Sequence, residues 1–382
     1  MLFLALLGAL PFVRARPESY AVWAADSAIA RGQGNGYVDG SVKVSYEHGE
    51  LHYGLRLLYE ETGNQTYYDY ILDASNVIVD DNGKIASQYK PSEYQQDPIR
   101  TGPTFAYLYE ETGDEKWKTA MDAFHTQLMS QPRTDEGQFW HKLVYYNQGW
   151  LDGIYMGEIF YLTYLNKFQP NNQTAYDDIE KQFELMYKNT LVEDTGLLYH
   201  GYDYSHTASW ADEDRGHSPE VWDRALGWYV MALVDLLEIW PGDKTTFLTH
   251  LQALAPAIVK AADPDTGVWW LVMSQPGREG NYFESSGSVM FVYALLKGVR
   301  LGYLQDTDGS ILAAATKAYG YIVDEWVTDN GDGTFDWQNT VEVGSLSGAG
   351  DYDYYVSVDV KVNDLKGLAA FLLASVEFEK LA

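Results

Sequence analysis

One six-residue string occurs twice in this chain. Leu58-Tyr59-Glu60-Glu61-Thr62-Gly63 returns as Leu108-Tyr109-Glu110-Glu111-Thr112-Gly113, fifty residues later. Each copy closes a helical hydrophobic pattern on glycine, the residue best suited to the left-handed turn that ends a helix. Each leads at once into a second helical pattern, over residues 65–79 and 115–129. Later segments repeat the plan with less identity. Helices are predicted over 153–167 and 175–189, 224–239 and 246–262, and 286–304 and 310–327, with breaks at Gln169-Pro170-Asn171-Asn172, Pro241-Gly242-Asp243 and Asp306-Thr307-Asp308-Gly309. Two more helices are predicted over 19–31 and 364–381, giving twelve, arranged in hairpins. Strand-like alternation is confined to 267–274 and 333–338. Antiparallel pairs repeated about six times can close into a ring, an all-α (α/α)6 barrel or six-hairpin toroid. An open solenoid is the alternative, and it would need polar capping ends. The long, aromatic, glycine-rich links favour the ring, because functional groups concentrate on such loops.

Charge and cysteine content narrow the partners. The formal net charge is −29, so a basic nucleic-acid-binding surface is excluded and an anionic membrane is a poor partner. A monomer is expected. Without a single cysteine there is no disulfide, thiolate nucleophile, cysteine-ligated zinc or iron–sulfur cluster. Residues 1–15 read as a secretory signal, with an apolar core from Leu2 to Leu10 and small residues around Val13-Arg14-Ala15. The remainder, 16–382, reads as one catalytic domain exported from the cell. The sequons Asn64-Gln65-Thr66 and Asn172-Gln173-Thr174 fit that destination and predict a glycoprotein.

Asp152 is the residue most in need of an explanation. It begins an apolar helix within Trp150-Leu151-Asp152-Gly153-Ile154-Tyr155-Met156. Capping would account for an aspartate there. A carboxyl among aromatic rings is also desolvated, which raises its pKa and would keep it protonated as a general acid near neutral pH. Asp97 opens the corresponding turn of the preceding repeat, ahead of Pro98, and also suits a helix start. In a ring of hairpins the two carboxyls could share one cleft as acid and base. Arg224, between Trp222 and Trp228, suits a planar carboxylate, with the indoles against a sugar face. Its alternative is an arginine lying over aromatic core and paired with Asp223 or Glu220. His141 and His200 are candidate donors. Asp306-Thr307-Asp308-Gly309 and Asp329-Asn330-Gly331-Asp332-Gly333 lack EF-hand spacing and read as acidic turns. The histidines show no zinc-binding spacing, so no metal and no cofactor are expected.

These motifs resemble those of glycoside hydrolase family 105, the unsaturated rhamnogalacturonyl hydrolases, and more distantly family 88, the unsaturated glucuronyl hydrolases. The likeness rests on Phe139-Trp140-His141-Lys142, Gln148–Met156, Tyr199-His200-Gly201-Tyr202-Asp203, Val221–Tyr229, Glu284–Phe291 and Asn363–Ala374, in that order along nearly the whole chain. The resemblance implies the (α/α)6 fold. It implies Asp152 as the acid/base and Asp97 as the second carboxylate. It also implies Tyr46, His141, Trp150, His200, Trp222, Arg224 and Trp228 as substrate-binding residues. The implied substrate is an anionic oligosaccharide left by a lyase, with a C4=C5 double bond in its terminal uronate. Protonation at C4 and attack of water at C5 would give a hemiketal that opens and releases the neighbouring sugar, with Arg224 as the first candidate to hold the substrate carboxylate. Rhamnogalacturonan is the default source by resemblance; the same chemistry on unsaturated glucuronyl oligosaccharides from ulvan or arabinogalactan, an ordinary inverting glycosidase and a non-catalytic carbohydrate-binding protein are the alternatives.

Overall fold

The computed structural model describes residues 17–381, so the secretory-signal prediction falls outside the described residues. Twelve principal helical runs follow in chain order. They are α1 (Tyr20–Ala30), α2 (Tyr46–Thr62), α3 (Gln65–Ile78), α4 (Gly102–Thr112) and α5 (Glu115–Met129). The sixth, α6, joins an α-turn Leu151–Gly153, a π-helical segment Ile154–Glu158 and a helix Ile159–Phe168. Then come α7 (Gln173–Thr190), α8 (Asp223–Ile239), α9 (Thr245–Ala261), α10 (Ser285–Arg300), α11 (Ser310–Glu325) and α12 (Leu365–Glu379).

The duplicated string turns out to be two helix ends set back to back. Gly63 and Gly113 take φ of 68° and 66°, and their N–H groups bond to the carbonyls of Tyr59 and Tyr109. Thr62 and Thr112 return their hydroxyls to the carbonyls of Leu58 and Leu108. Asn64 and Asp114 then cap the next helix by accepting from the N–H groups of Thr66 and Lys116.

Even-numbered helices form an inner layer in which α2, α4, α6, α8, α10 and α12 are neighbours in turn, and α12 returns to α2. Odd-numbered helices cover them, and α1 packs on α12, so the first and last helices form the sixth pair. This is the closed toroid. Burial follows the layers. Every residue of α8 from Asp223 to Leu237 is buried, whereas α11 buries only Ala315, Ala318, Tyr319, Ile322 and Val323, one face. Small residues bring inner elements close. A β-carbon on Gly102 would lie 2.1 Å from the Phe160 ring, and one on Gly49 would lie 2.4 Å from the Arg100 carbonyl oxygen.

The predicted helix over 286–304 ends earlier, at Arg300, because Gly302 takes φ of 74° and turns the chain. Of the two predicted strands, 333–338 yields Phe335–Trp337 paired with Val327–Asp329, while 267–274 makes only isolated bridges. A pair that the sequence reading did not anticipate matters more. Gln148–Trp150 runs antiparallel to Gly201–Asp203, with Trp150 opposite Gly201.

Candidate active site

The N-terminal ends of the inner helices gather at one mouth of the toroid. Arg224 at the start of α8 donates to Ser286 Oγ at the start of α10, and Lys366 at the start of α12 faces Glu47 at the start of α2. The opposite mouth holds a cavity of about 450 Å³ lined by residues from the other helix ends, among them Glu60, Glu110, Lys167 and Glu238. None of the candidate catalytic residues reaches it. The chemistry therefore assigns the first mouth, where Asp97, Asp152, His141 and His200 lie together.

The short strand pair brings Asp152 to His200. Trp150 pairs with Gly201, and the Leu151 N–H donates to the His200 carbonyl at 3.0 Å. His200 Nε2 then lies 3.1 Å from Asp152 Oδ2. The two atoms face each other in a contact closed to solvent, while the Asp152 side chain as a whole keeps 16% of its surface exposed. On the other side of the imidazole, His200 Nδ1 is 2.6 Å from the Tyr355 hydroxyl. Burial holds the Tyr355 phenol far above its ordinary pKa, so it stays protonated beside the imidazole.

Asp97 is tied to the same place through His141. The Gln96 N–H bonds to the His141 carbonyl, and the His141 N–H bonds to the Gln148 carbonyl. His141 Nε2 is 3.4 Å from Asp97 Oδ1, and Lys142 Nζ is 2.7 Å from Asp97 Oδ2. Gln95 Nε2 donates to that same oxygen at 2.9 Å. Neither aspartate acts as a helix cap. Asp152 stands one residue inside α6, whose N-cap is Trp150, and the Asp97 carboxylate is taken by side chains.

The electrostatics correct one expectation. Asp152 was expected to be held protonated by its aromatic neighbours. Burial does push its carboxyl up, but His200 and His141 outweigh burial and hold it below its ordinary value, so it rests as a carboxylate. Burial also pushes Asp97 up, and Lys142 and His141 overcome this to hold it at about 2. Burial lowers His141 to about 4 against the pull of Asp97, which keeps the ring neutral.

Trp150 stacks on His141 with centroids 4.7 Å apart and on Tyr145 at 4.3 Å, forming a wall beside Asp152. Tyr46 is half-buried and meets Trp228 edge-on at 6.0 Å. Trp222 lies deeper, stacked on Tyr355 at 5.7 Å with the Arg224 guanidinium 4.6 Å from its ring. Arg224 requires a second correction as the free carboxylate clamp. Its Nη1 donates to Ser286 Oγ at 3.0 Å and to the Val341 carbonyl at 2.7 Å, and its Nη2 donates to the Glu342 carbonyl. Nη1 is therefore spent on α10 and on the loop near Trp222, and Nη2 gives one N–H to that loop. Lys142, 20% exposed and paired with Asp97, is the more accessible of these two cations.

Tyr355 and Lys142 are the functional residues that the sequence reading left unassigned. Lys142 belongs to a quoted motif, so a signal existed; Tyr355 comes from a short helical segment, Tyr352–Ser357, more than 150 residues beyond His200. Replacing Tyr355 by Phe is expected to preserve the fold and lower kcat about tenfold, the worth of one buried hydrogen bond. Equal kcat for Y355F and wild type would remove Tyr355 from the site.

Comparison with known proteins gives the family and the fold. The sequence model of Glycosyl Hydrolase Family 88 matches residues 24–382. A glycoside hydrolase from family 105 of C. acetobutylicum ATCC 824 superposes with a TM-score of 0.89 at 39% identity, over 95% of this chain and 100% of the other. The 24.9 kDa protein in the picA locus of Rhizobium radiobacter is 37% identical over 202 residues, 50% of this chain and 86% of that protein. The unsaturated glucuronyl hydrolase of Bacillus sp. GL1 shares the fold, with a TM-score of 0.67 at 16% identity over 94% of this chain and 95% of that one.

Proposed function

Since this chain belongs to glycosyl hydrolase family 88 and is an unsaturated-uronyl hydrolase of the family 88 and 105 type, we propose that it removes the 4,5-unsaturated uronic acid from the non-reducing end of lyase-generated oligosaccharides of rhamnogalacturonan type. The observation that carries this reading is the line Tyr355–His200–Asp152, which ends on a carboxylate that is 16% exposed at a helix start.

In this reading Asp152 rests ionised. An entering uronate shields it from water and adds a negative charge, and both effects raise its pKa. Asp152 takes up a proton and delivers it to C4 of the double bond. Positive character develops at C5, where the ring oxygen shares it. Asp152, again a carboxylate, accepts a proton from water as the water oxygen bonds to C5. The resulting hemiketal opens to a ketone, which exposes a hemiacetal carbon at C1 and releases the aglycone. Lys142, shared with Asp97, is the cation placed to meet the substrate carboxylate. Trp150 and Tyr46 form walls, and Asp97, locked by Lys142 and His141, orders them.

An inverting glycosidase would require one carboxyl held protonated at rest opposite a carboxylate base. Here both Asp97 and Asp152 lie below their ordinary values, which does not favour that division. The deciding measurement is the ultraviolet absorbance of the conjugated double bond during incubation with unsaturated oligosaccharides, with saturated ones as control. Loss of absorbance with release of the adjacent sugar supports hydration, and rhamnose against other aglycones maps specificity. Cleavage of the saturated control alone would overturn it.

The same proposal places the protein outside the cell, with glycans on Asn64 and Asn172. Both are exposed helix N-caps that use their oxygens on the backbone, a role a glycosylated amide can keep.

A further inference from the structure

Below the cleft, five inner elements meet in a buried ionic network. Arg100, in the turn before α4, donates from Nε to Glu50 Oε2 of α2 at 3.1 Å and from Nη2 to the Tyr155 hydroxyl of α6 at 2.8 Å. That hydroxyl lies 3.1 Å from Glu50 Oε1 and 3.0 Å from Asp235 Oδ2 of α8. On its other oxygen, Asp235 accepts from Lys297 Nζ of α10 at 2.8 Å and from the Tyr293 hydroxyl at 2.6 Å. The side chains of Glu50, Arg100, Asp235 and Lys297 are at most 6% exposed.

Tyr155 is the hub of this network, and its ring leaves the network toward the cleft. The ring stacks on Trp228 with centroids 5.2 Å apart and planes 21° apart. Trp228 in turn meets Tyr46, the half-buried ring at the cleft. The Arg100 guanidinium packs 4.3 Å from the Tyr155 centroid. Tyr155 also lies in the π-helical segment that begins directly after the Asp152 turn. A π segment adds a residue to a turn and breaks the regular ladder, so something outside the helix must fix its register. A phenol held by three charged groups on three other elements can do that.

We propose that Tyr155 is a positioning residue for the reaction. Its anchored hydroxyl sets the ring on which Trp228 and then Tyr46 are supported, and so sets the floor that receives the unsaturated uronate. The proposal rests on the functional reading above for its substrate. Its structural half stands apart from that reading. A phenol anchored only for stability would leave substrate binding unchanged when its hydroxyl is removed.

The test is Tyr155→Phe in the full chain, with Asp235→Asn as a second variant that keeps the phenol and weakens its acceptor. Two readouts are taken. One is the indole N–H resonance of Trp228, assigned by its disappearance in Trp228→Phe. The other is the split between KM and kcat on unsaturated oligosaccharide. The expected result is a displaced Trp228 resonance in both variants, with KM raised about tenfold and kcat within about twofold, the signature of lost binding shared by ground and transition states. An unmoved resonance overturns the proposal whether or not the protein turns over the substrate. A moved resonance with unchanged KM overturns the link to binding. If wild-type protein leaves the double bond untouched, the functional reading fails by itself, and the resonance still decides whether Tyr155 positions Trp228. If Tyr155→Phe does not fold, Asp235→Asn is read by the same two criteria.

Discussion

Asp152→Asn is expected to lower kcat on unsaturated oligosaccharides roughly a thousandfold, within the range of a positioned acid–base group. The amide keeps the shape of the carboxyl, and the Leu151 N–H bond to the His200 carbonyl that holds the turn uses only backbone. Folding should therefore be untouched. Ligand binding has a definite sign. The wild-type carboxyl is held in its charged form by His200 and His141 despite burial. Removing that charge removes a repulsion toward an anionic uronate, so the dissociation constant should stay equal or become smaller. Calorimetric titration of the variant with intact substrate, beside its rate of absorbance loss, checks both halves. Residual turnover above about a tenth of wild type would assign the proton to another group. Loss of binding together with turnover would make Asp152 a structural residue.

The parts of this molecule legible in the sequence are those written locally. The duplicated Leu-Tyr-Glu-Glu-Thr-Gly string encodes a helix stop, a hydroxyl on the last turn and the next cap within seven residues, so the hairpins and their count could be read directly. The 115–129 prediction coincides with α5 for the same reason. Asp152 and Asp97 were visible as carboxyls at equivalent helix starts. What pattern could not show is what comes from elsewhere in the chain. The three-residue strands at Gln148–Trp150 and Gly201–Asp203 are too short for alternation to register, yet they bring His200 to Asp152. The sign of the Asp152 shift depends on that contact, so a reading from its sequence neighbours alone went the wrong way. Arg224 was misjudged similarly. Its acceptors, Val341 and Glu342, lie more than a hundred residues downstream. The π segment leaves no periodic trace, because one extra residue in a run that is apolar on nearly every face, Glu158 apart, barely changes the hydrophobic pattern.

Removing the cation from the buried network should have the largest effect on stability. Arg100→Met is expected to cost about 3–5 kcal/mol at neutral pH, because it strands Glu50 and part of the Asp235 charge in a dry site. A loss of that size is a large fraction of the about 5–15 kcal/mol by which domains are stable. Its dependence on pH identifies the cause. Burial already pushes the Glu50 carboxyl up from 4.5, and Arg100 is the principal group pulling it back down. Without Arg100 its folded pKa rises further above the unfolded value. A group whose folded pKa is raised binds more protons in the folded state, so stability falls as pH rises through that pKa. The deficit of Arg100→Met relative to wild type should therefore grow from acidic to alkaline pH and shrink as pH falls toward 4.5. The double variant Glu50→Gln with Arg100→Met carries no stranded carboxylate at position 50. It should be more stable than Arg100→Met alone at alkaline pH, and its deficit relative to wild type should vary much less with pH, even though it has lost one more native group. Urea midpoints at mildly acidic and mildly alkaline pH for the three proteins decide the matter. A single variant within about 1 kcal/mol of wild type at both would show that the network contributes no more than an exposed ion pair does.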